Sequence, residues 1–302
     1  MISQHSQLVS IGLPTFNRVA TLKRALDSLL AQTYNNFELI ISDNASTDDT
    51  EKICLEYSQK DDRVKYFRQE KNIGMIRQFD FLVTNIKGNF FMLASDDDWW
   101  HPNFISILKE VLDKHPQYGI AMSSLRQVHE DGSLMNEVIY DGLNNLSTFS
   151  HSRVFDAVVW KNPPAHFFIL GLYRIEILKK LFWEPAPIVL GGDKIIMYEA
   201  ALFTRFYSVP DVLWVRTSSF VPDAQRYTGE YKKIFIDKWA YIKHIKVSIS
   251  RLFRSPNISL ARKFYLLPIK IIVLFYAYRK HLIREMFPNV FQIFKRMSRS
   301  GN

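Results

Sequence analysis

Cysteine is nearly absent from this chain. Cys54 is the only one in 302 residues, which excludes an intramolecular disulfide framework and fits a reducing, cytoplasmic setting. It falls in a helical pattern and reads as a packed side chain rather than a reactive thiol. The 8 His include no His-x-x-x-His pair and no His/Cys cluster with zinc spacing, so the usual structural zinc sites are excluded. There is no Gly-x-x-x-x-Gly-Lys-Ser/Thr loop, no Gly-x-Gly-x-x-Gly and no Gly-x-Ser-x-Gly elbow, which argues against P-loop NTPases, dinucleotide enzymes and α/β-hydrolases. The densest apolar run, Phe264 to Tyr278, is interrupted by Pro268 and Lys270 and falls short of the roughly 20 residues that span a bilayer. Met1 to Gln7 is polar and lacks the basic and apolar regions of a signal peptide.

Acidic residues are scarce at one end only. Residues 231–302 hold 16 Lys+Arg against 2 Asp+Glu, a net of +14; the chain totals of 39 and 30 leave the first 230 residues 23 basic and 28 acidic groups, a net of −5. A boundary near Pro222 to Tyr231 fits this shift and predicts two parts, a catalytic body over 1–225 and a basic helical extension over 226–302.

The body alternates strand-like runs with polar loops. Leu8 to Leu13 breaks into Pro14-Thr15-Phe16-Asn17-Arg18; Phe37 to Ser42 into Asp43-Asn44-Ala45-Ser46-Thr47-Asp48-Asp49; Val64 to Arg68 into Glu70-Lys71-Asn72-Ile73-Gly74; and Phe90 to Leu93 into Ala94-Ser95-Asp96-Asp97-Asp98. Between them, Leu22, Ala25, Leu26, Leu29 and Leu30 form a helical stripe, with Asn17 as a plausible N-cap. A second helix is predicted from near Asp48, with Ile53 and Tyr57 facing inward, and a third carries Ile76, Phe79, Leu82, Val83 and Ile86. Such alternation predicts a mostly parallel, Rossmann-like α/β sheet flanked by helices, with all four loops along the edge where open sheets bind ligands. Three adjacent carboxylates there suit Mg²⁺ or Mn²⁺ completed by a substrate diphosphate; the same run alone also fits a solvated acidic turn.

In order and placement, these four loops resemble the family-two A-type glycosyltransferases, over roughly the first 220 residues and more weakly after about position 125. The resemblance implies an inverting transferase using a nucleotide-sugar donor. Pro14, Thr15, Asn17 and Arg18 would line the nucleotide cleft, and Asp43 would hydrogen-bond the base, commonly uracil. Asn44, Ser46, Asp48, Asn72 and Gly74 would shape the adjoining loops. Asp96 and Asp98 match the Asp-x-Asp metal motif, with Asp97 near the ribose or diphosphate. Many relatives carry an Asp two places before an Asp pair, and aligning on Pro102 puts Ser95 in that slot. The first carboxylate of the motif therefore differs between alignments, whereas Asp98 holds its place in both.

Sugar transfer also needs a base for the acceptor hydroxyl. Asp193, after Gly191-Gly192 and before a helix-like run from Ile195 to Phe203, occupies the place of that base in related transferases; the segment alone is equally that of an N-cap after a glycine turn. Trp99 and Trp100 fit either a sugar platform or a core pair. In the extension, Ile234, Trp239, Ile242, Ile245, Leu252 and Phe253 interleave with Lys232, Lys233, Lys238, Lys243, Lys246, Arg251 and Arg254. Helices of this kind lie in the interface of anionic membranes or pack on a body with a basic face outward. No nucleic-acid motif accompanies the charge.

The expected protein is a glycosyltransferase of the A-type fold with a divalent cation, a UDP-sugar donor and a glycan or lipid-linked glycan acceptor, peripheral at the inner membrane face. The alternatives are a glycan- or membrane-binding scaffold and a sugar-phosphate nucleotidyltransferase. The latter usually opens on a Gly-rich loop that Leu13 to Asn17 does not provide. Loops such as 125–165 offer Arg126, His129, Asp131, Asn144, His151 and His166 as polar groups for specificity without a readable pattern.

Overall fold

The computed structural model describes residues 7–140, 169–218, 233, 237 and 239–286. Asn144, His151, His166 and the Pro222 to Tyr231 boundary lie outside these residues. Strands β1 (Val9–Thr15), β2 (Phe37–Asp43), β3 (Val64–Arg68) and β4 (Phe90–Leu93) alternate with helices α1 (Leu22–Leu30), α2 (Thr50–Lys60) and α3 (Met75–Asn85). β1 pairs in parallel with both β2 and β4, and β2 in parallel with β3. All seven residues of β2 are buried, as an inner strand of a sheet covered on both faces requires. In α1 the buried Leu22, Ala25, Leu26 and Leu29 form the expected stripe.

Beyond β4 the chain turns through β5 (Trp99–Trp100), α4 (Phe104–Lys114), β6 (Tyr118–His129), β7 (Leu134–Val138), β8 (Leu172–Arg174), α5 (Ile175–Leu181), α6 (Gly192–Phe203) and β9 (Arg205–Ser218). Among the described residues these strands extend the same sheet to nine, in the order β3-β2-β1-β4-β8-β6-β9-β5, with β7 beside β6. β8 runs antiparallel to β4 and β6, and β9 is parallel to β6. The short β5 returns antiparallel to β9, pairing Trp100 with Trp214. The two indoles stack with centroids 5.3 Å apart. Trp100 is therefore a core residue, while Trp99 stays partly exposed.

Asn17 does not cap α1. The helix starts at Leu22 behind Thr21, and Asn17 instead takes φ 52°, a left-handed conformation that Asn tolerates better than most residues. Its side-chain oxygen accepts from Thr47 N–H at 2.8 Å. The donor it satisfies lies in the second loop, not in the helix that follows.

Two further helices, α7 (Ala240–Arg254) and α8 (Leu260–Met286), form the described part of the basic extension. Their inner faces pack on α5, α6 and the segment between them. Arg251, almost fully buried, pairs with buried Glu199 of α6 at 2.9 Å and with Glu184 at 3.0 Å, and donates to the carbonyl of Leu181 at 2.9 Å. Lys270 lies buried near the same cluster, and burial pulls its pKa down to about 8. Breaking one side of a buried pair strands the other charge. Arg251→Met is therefore expected to cost about 3–5 kcal/mol in urea unfolding, and adding Glu199→Leu should restore much of it; a loss under about 1 kcal/mol would show the pair to be solvated.

His244 of α7 is buried with its Nδ1 2.8 Å from the Leu190 carbonyl and its Nε2 3.4 Å from the Tyr278 hydroxyl of α8. Burial, aided by the charges of Lys194 and Lys270 and opposed by the Leu190 bond and Asp193, pulls its pKa down to about 4. An unfolded His titrates near 6.5, so between about 4 and 6.5 the unfolded chain binds more protons and stability rises with pH. Unfolding free energy should fall by on the order of 3 kcal/mol from pH 7 to 4 through this group. His244→Asn should flatten that part of the profile, and an unchanged profile would place the imidazole in water.

Candidate active site

The ends of β1, β2 and the loops after β3 and β4 meet along one edge and are fastened by side chains rather than by regular structure. Asp43, the last residue of β2, is fully buried. Its Oδ1 accepts from Ser46 N–H at 2.9 Å and from the Ser46 hydroxyl at 2.5 Å, closing a tight turn, and its Oδ2 accepts from the Tyr66 hydroxyl at 2.9 Å. Burial and Asp43 together push the Tyr66 phenol upward, so it remains a donor. Arg68 stands 3.9 Å from the same carboxylate and 3.0 Å from Glu51. Ser46 Oγ in turn accepts from Asn17 N–H at 2.9 Å.

Asp48 faces the first loop and the start of α2 together. Its Oδ2 takes Val19 N–H at 3.3 Å and its Oδ1 takes Thr50 N–H at 3.0 Å. Burial alone would raise its pKa, but the Thr50 and Val19 hydrogen bonds outweigh it and hold the carboxyl below its usual range. Arg18 N–H donates to Thr50 Oγ1 at 2.8 Å. Asn44 receives Ile73 N–H at 2.7 Å and donates to Asn72 at 3.0 Å, and Asn72 accepts Gly74 N–H at 2.9 Å. Asn17, Ser46 and Asp43, then Arg18 and Asp48 through Thr50, then Asn44, Asn72 and Gly74 thus form three tied groups at the same edge. Gln78 of α3, buried beneath them, donates to the Thr15 carbonyl at 3.2 Å and to Ser42 O. Thr15 Oγ1, also buried, has no partner among the described residues. An unmade buried hydrogen bond costs about 1–3 kcal/mol, which a ligand group at the end of β1 would remove.

The three carboxylates after β4 have different surroundings. Asp96 is 3.3 Å from the Arg18 guanidinium, an ion pair across the first and fourth loops. Asp97 is half-exposed, and its carbonyl accepts from Arg24, which also donates to Thr217 at 2.9 Å. Asp98 is buried, and both of its oxygens accept from β9: Oδ2 from Trp214 Nε1–H and Oδ1 from Thr217 N–H, each at 2.9 Å. Burial, and then the charge of Asp97, pushes the Asp98 carboxyl well above the usual range, with the two donors pulling the other way. Asp98 was expected as a metal ligand; in this structure it ties the fourth loop to β9. Among the described residues no group of three or more His, Cys, Asp or Glu is disposed to hold a metal by protein ligands alone. Asp96 and Asp97 fit the other pattern, in which one or two carboxylates share a cation with substrate phosphates.

Asp193 lies in the first turn of α6, partly exposed. The turn before it needs glycine twice: Gly191 has φ 72°, and a Cβ on Gly192 would come within 2.4 Å of the Pro187 carbonyl. The segment leading to this turn docks on α3, through Ala186 N–H to Asp80 at 2.8 Å and the Phe79–Phe182 ring contact at 4.9 Å. α3 begins at the Gly74 loop of this edge, so the structure joins the Asp193 segment to the edge through one helix. Trp214, Thr217, Gln78 and Arg24 escape a sequence reading. Trp214 and Thr217 stand 116 and 119 residues from Asp98, and no local pattern links such positions.

The chain is an α/β sheet with carboxylates and tied polar loops at one edge, the side on which open α/β sheets bind ligands. The family model for glycosyl transferase family 2 matches residues 10–182. The chain belongs to glycosyl transferase family 2. GlyA, a glycosyltransferase of Streptococcus pneumoniae, is 22% identical over 238 residues, covering 77% of this chain and 32% of that protein. An uncharacterized glycosyltransferase of Rickettsia typhi is 39% identical over 110 residues, covering 36% of this chain and 33% of its own length. The chain thus spans about a third of the length of these curated relatives. Among solved structures, S. aureus TarS 1-349 in complex with UDP-GlcNAc aligns with a TM-score of 0.67 at 18% identity, covering 91% of this chain and 74% of that one. The mannosyltransferase PcManGT of Pyrobaculum calidifontis, in complex with GDP-Man and Mn²⁺, aligns with a TM-score of 0.52 at 16% identity, covering 93% and 87%. These likenesses establish the shared fold.

The role of Asp98 has a measurable sign. Removing a carboxylate that only repels its neighbours stabilises the cation-free protein; removing one that satisfies two buried donors destabilises it. Asp98→Ala is expected to lose about 2 kcal/mol or more in urea unfolding followed by tryptophan fluorescence, whereas Asp97→Asn should stay within about 0.5 kcal/mol of the parent. A stabilised Asp98→Ala protein would return Asp98 to the metal site.

Proposed function

We propose that this chain transfers a sugar from a UDP-sugar, with inversion at the anomeric carbon, to a hydroxyl of a glycan or lipid-linked glycan. The observation that carries this reading is the convergence on one sheet edge of three tied groups, Asp43–Ser46–Asn17, Thr15–Asn44–Asn72 and Arg18–Asp96. Family membership supports the reaction class, and the TarS complexes with UDP-GlcNAc and with UDP support the donor class.

Asp43, fully buried and locked by Ser46 and Tyr66, fixes the end of β2 where the base would bind, and its carboxylate would hydrogen-bond that base. Pro14 and Thr15 line the floor at the end of β1, and Thr15 Oγ1 offers an unused polar atom. Arg18 and Asp96 sit where a diphosphate would enter, and Asp96 with Asp97 would hold Mn²⁺ or Mg²⁺. When bound, such a cation neutralises charge developing on the diphosphate leaving group. The ionic bond between Arg18 and Asp96 keeps both groups in place before the donor arrives. Asp98 holds this loop against β9. Asp193 takes the proton from the acceptor hydroxyl as the oxygen attacks the anomeric carbon.

A panel of nucleotide sugars, each tested for divalent-cation-dependent release of nucleoside diphosphate, tests the reading directly. UDP-sugars should be turned over, and Asp193→Asn should lower transfer by ~10²–10⁴ with donor affinity little changed. Binding of nucleotide sugars without turnover across the panel would favour a scaffold. A folded Asp193→Asn protein with full rate would leave Asp193 as a helix cap.

A further inference from the structure

Helix α8 is apolar on two sides, and among the described residues only one of them is buried. Leu266, Lys270, Leu274, Tyr278 and Leu282, spaced by four, are buried against the body. On the outer side Leu260 is 66%, Phe264 61%, Ile272 66% and Phe275 60% exposed. Such spacing places the exposed residues along one side of the helix. Isolated exposed apolar residues are ordinary, but a row of large ones along a helix marks an interaction surface.

The neighbouring helix continues this surface with charge. Trp239, at the start of α7, and Lys243, Lys246, Ser250 and Phe253 recur at helical spacing, and all are exposed. Phe253 meets Phe264 edge to face, centroids 6.1 Å apart, so the two outer sides join. Half-exposed Lys263 flanks that junction, as does exposed Arg254, which is paired with Glu184 at 2.7 Å. Lys243 shares its charge with Asp237. Asp237 and Glu285 are the only acidic residues in 231–302, against 16 basic ones. No helix among the described residues is long and apolar enough to cross a membrane.

The geometry points to an anionic lipid bilayer as the partner of this surface, with α7 and α8 lying flat in the interface, Leu260, Phe264, Ile272 and Phe275 among the acyl chains and the α7 lysines on the headgroups. Charge complementarity selects the occupant. A second copy of the same chain would oppose one basic surface to another, whereas an anionic bilayer supplies both the apolar depth and the counter-charge. The attachment depends only on the outer sides, so the inner sides remain free to hold α6 and its Asp193 turn through Arg251 and His244. It is independent of the donor and of the reaction.

Flotation of the full chain with phosphatidylglycerol/phosphatidylcholine vesicles, with phosphatidylcholine vesicles and at low and high salt provides the test. Binding to the anionic vesicles should exceed binding to the neutral ones at least about tenfold and be released only in part by salt. F264S/I272S should abolish the salt-resistant fraction, and Lys246→Glu should weaken the salt-sensitive one. Both change exposed side chains, so circular dichroism and urea unfolding should be those of the parent. Equal binding to neutral and anionic vesicles, no binding to either, or binding unaffected by F264S/I272S would overturn the proposal. So would a dimer in sedimentation velocity that F264S/I272S dissolves without any vesicle binding.

Discussion

A carboxylate withdrawn from water is costly unless other donors replace the water it loses. Asp98 meets that condition with two donors from one distant strand, the Trp214 indole and the Thr217 amide. The bond joins the loop after β4, where the parallel half of the sheet ends, to β9 in the mixed half. Trp214 is fixed from its other side by stacking on Trp100, and Thr217 is also held by Arg24 from α1. Asp96 and Asp97 inherit their positions from this anchorage. Arg18 on Asp96 and Arg24 on the Asp97 carbonyl complete the fastening of a loop of three adjacent acids.

The nucleotide edge follows the same logic on a smaller scale. Parallel strands deliver loops to one edge but do not arrange them. Short polar side chains supply the arrangement: Asp43 holds Ser46, Ser46 holds Asn17, Asn17 holds Thr47, and Asn44 holds the Asn72 to Gly74 turn. Each bond replaces a water-facing donor with a fixed one, so the loops are ordered before a ligand binds. Pre-ordering lowers the entropy lost on binding.

The basic extension serves the interior as well as the surface. Arg251 enters the body and meets Glu199 and Glu184, and His244 holds the carbonyl just before the Gly191-Gly192 turn. The helix that carries Asp193 is thus packed against the extension. A charge count over these residues sees a uniformly basic tail; the structure divides it into buried basic groups with acidic partners and exposed ones beside apolar side chains.

The parallel sheet, the helical stripes and the edge where the loops gather were legible in the sequence, because strand and helix periodicities are local and a loop's side follows from strand direction. The loop residues were also legible, since short polar side chains crowd where strands stop. Their partners were not. Asn17 was read as a helix cap because a cap is a local pattern, yet its donor came from thirty residues away. Neighbouring acids suggest one role for all three, yet their partners differ: Asp98 is held by Trp214 and Thr217 and Asp96 by Arg18. Sequence by itself determined which groups could be brought to the edge. Only the tertiary structure decided which of them face outward and which are consumed holding it together, because that depends on burial and on donors more than a hundred residues away.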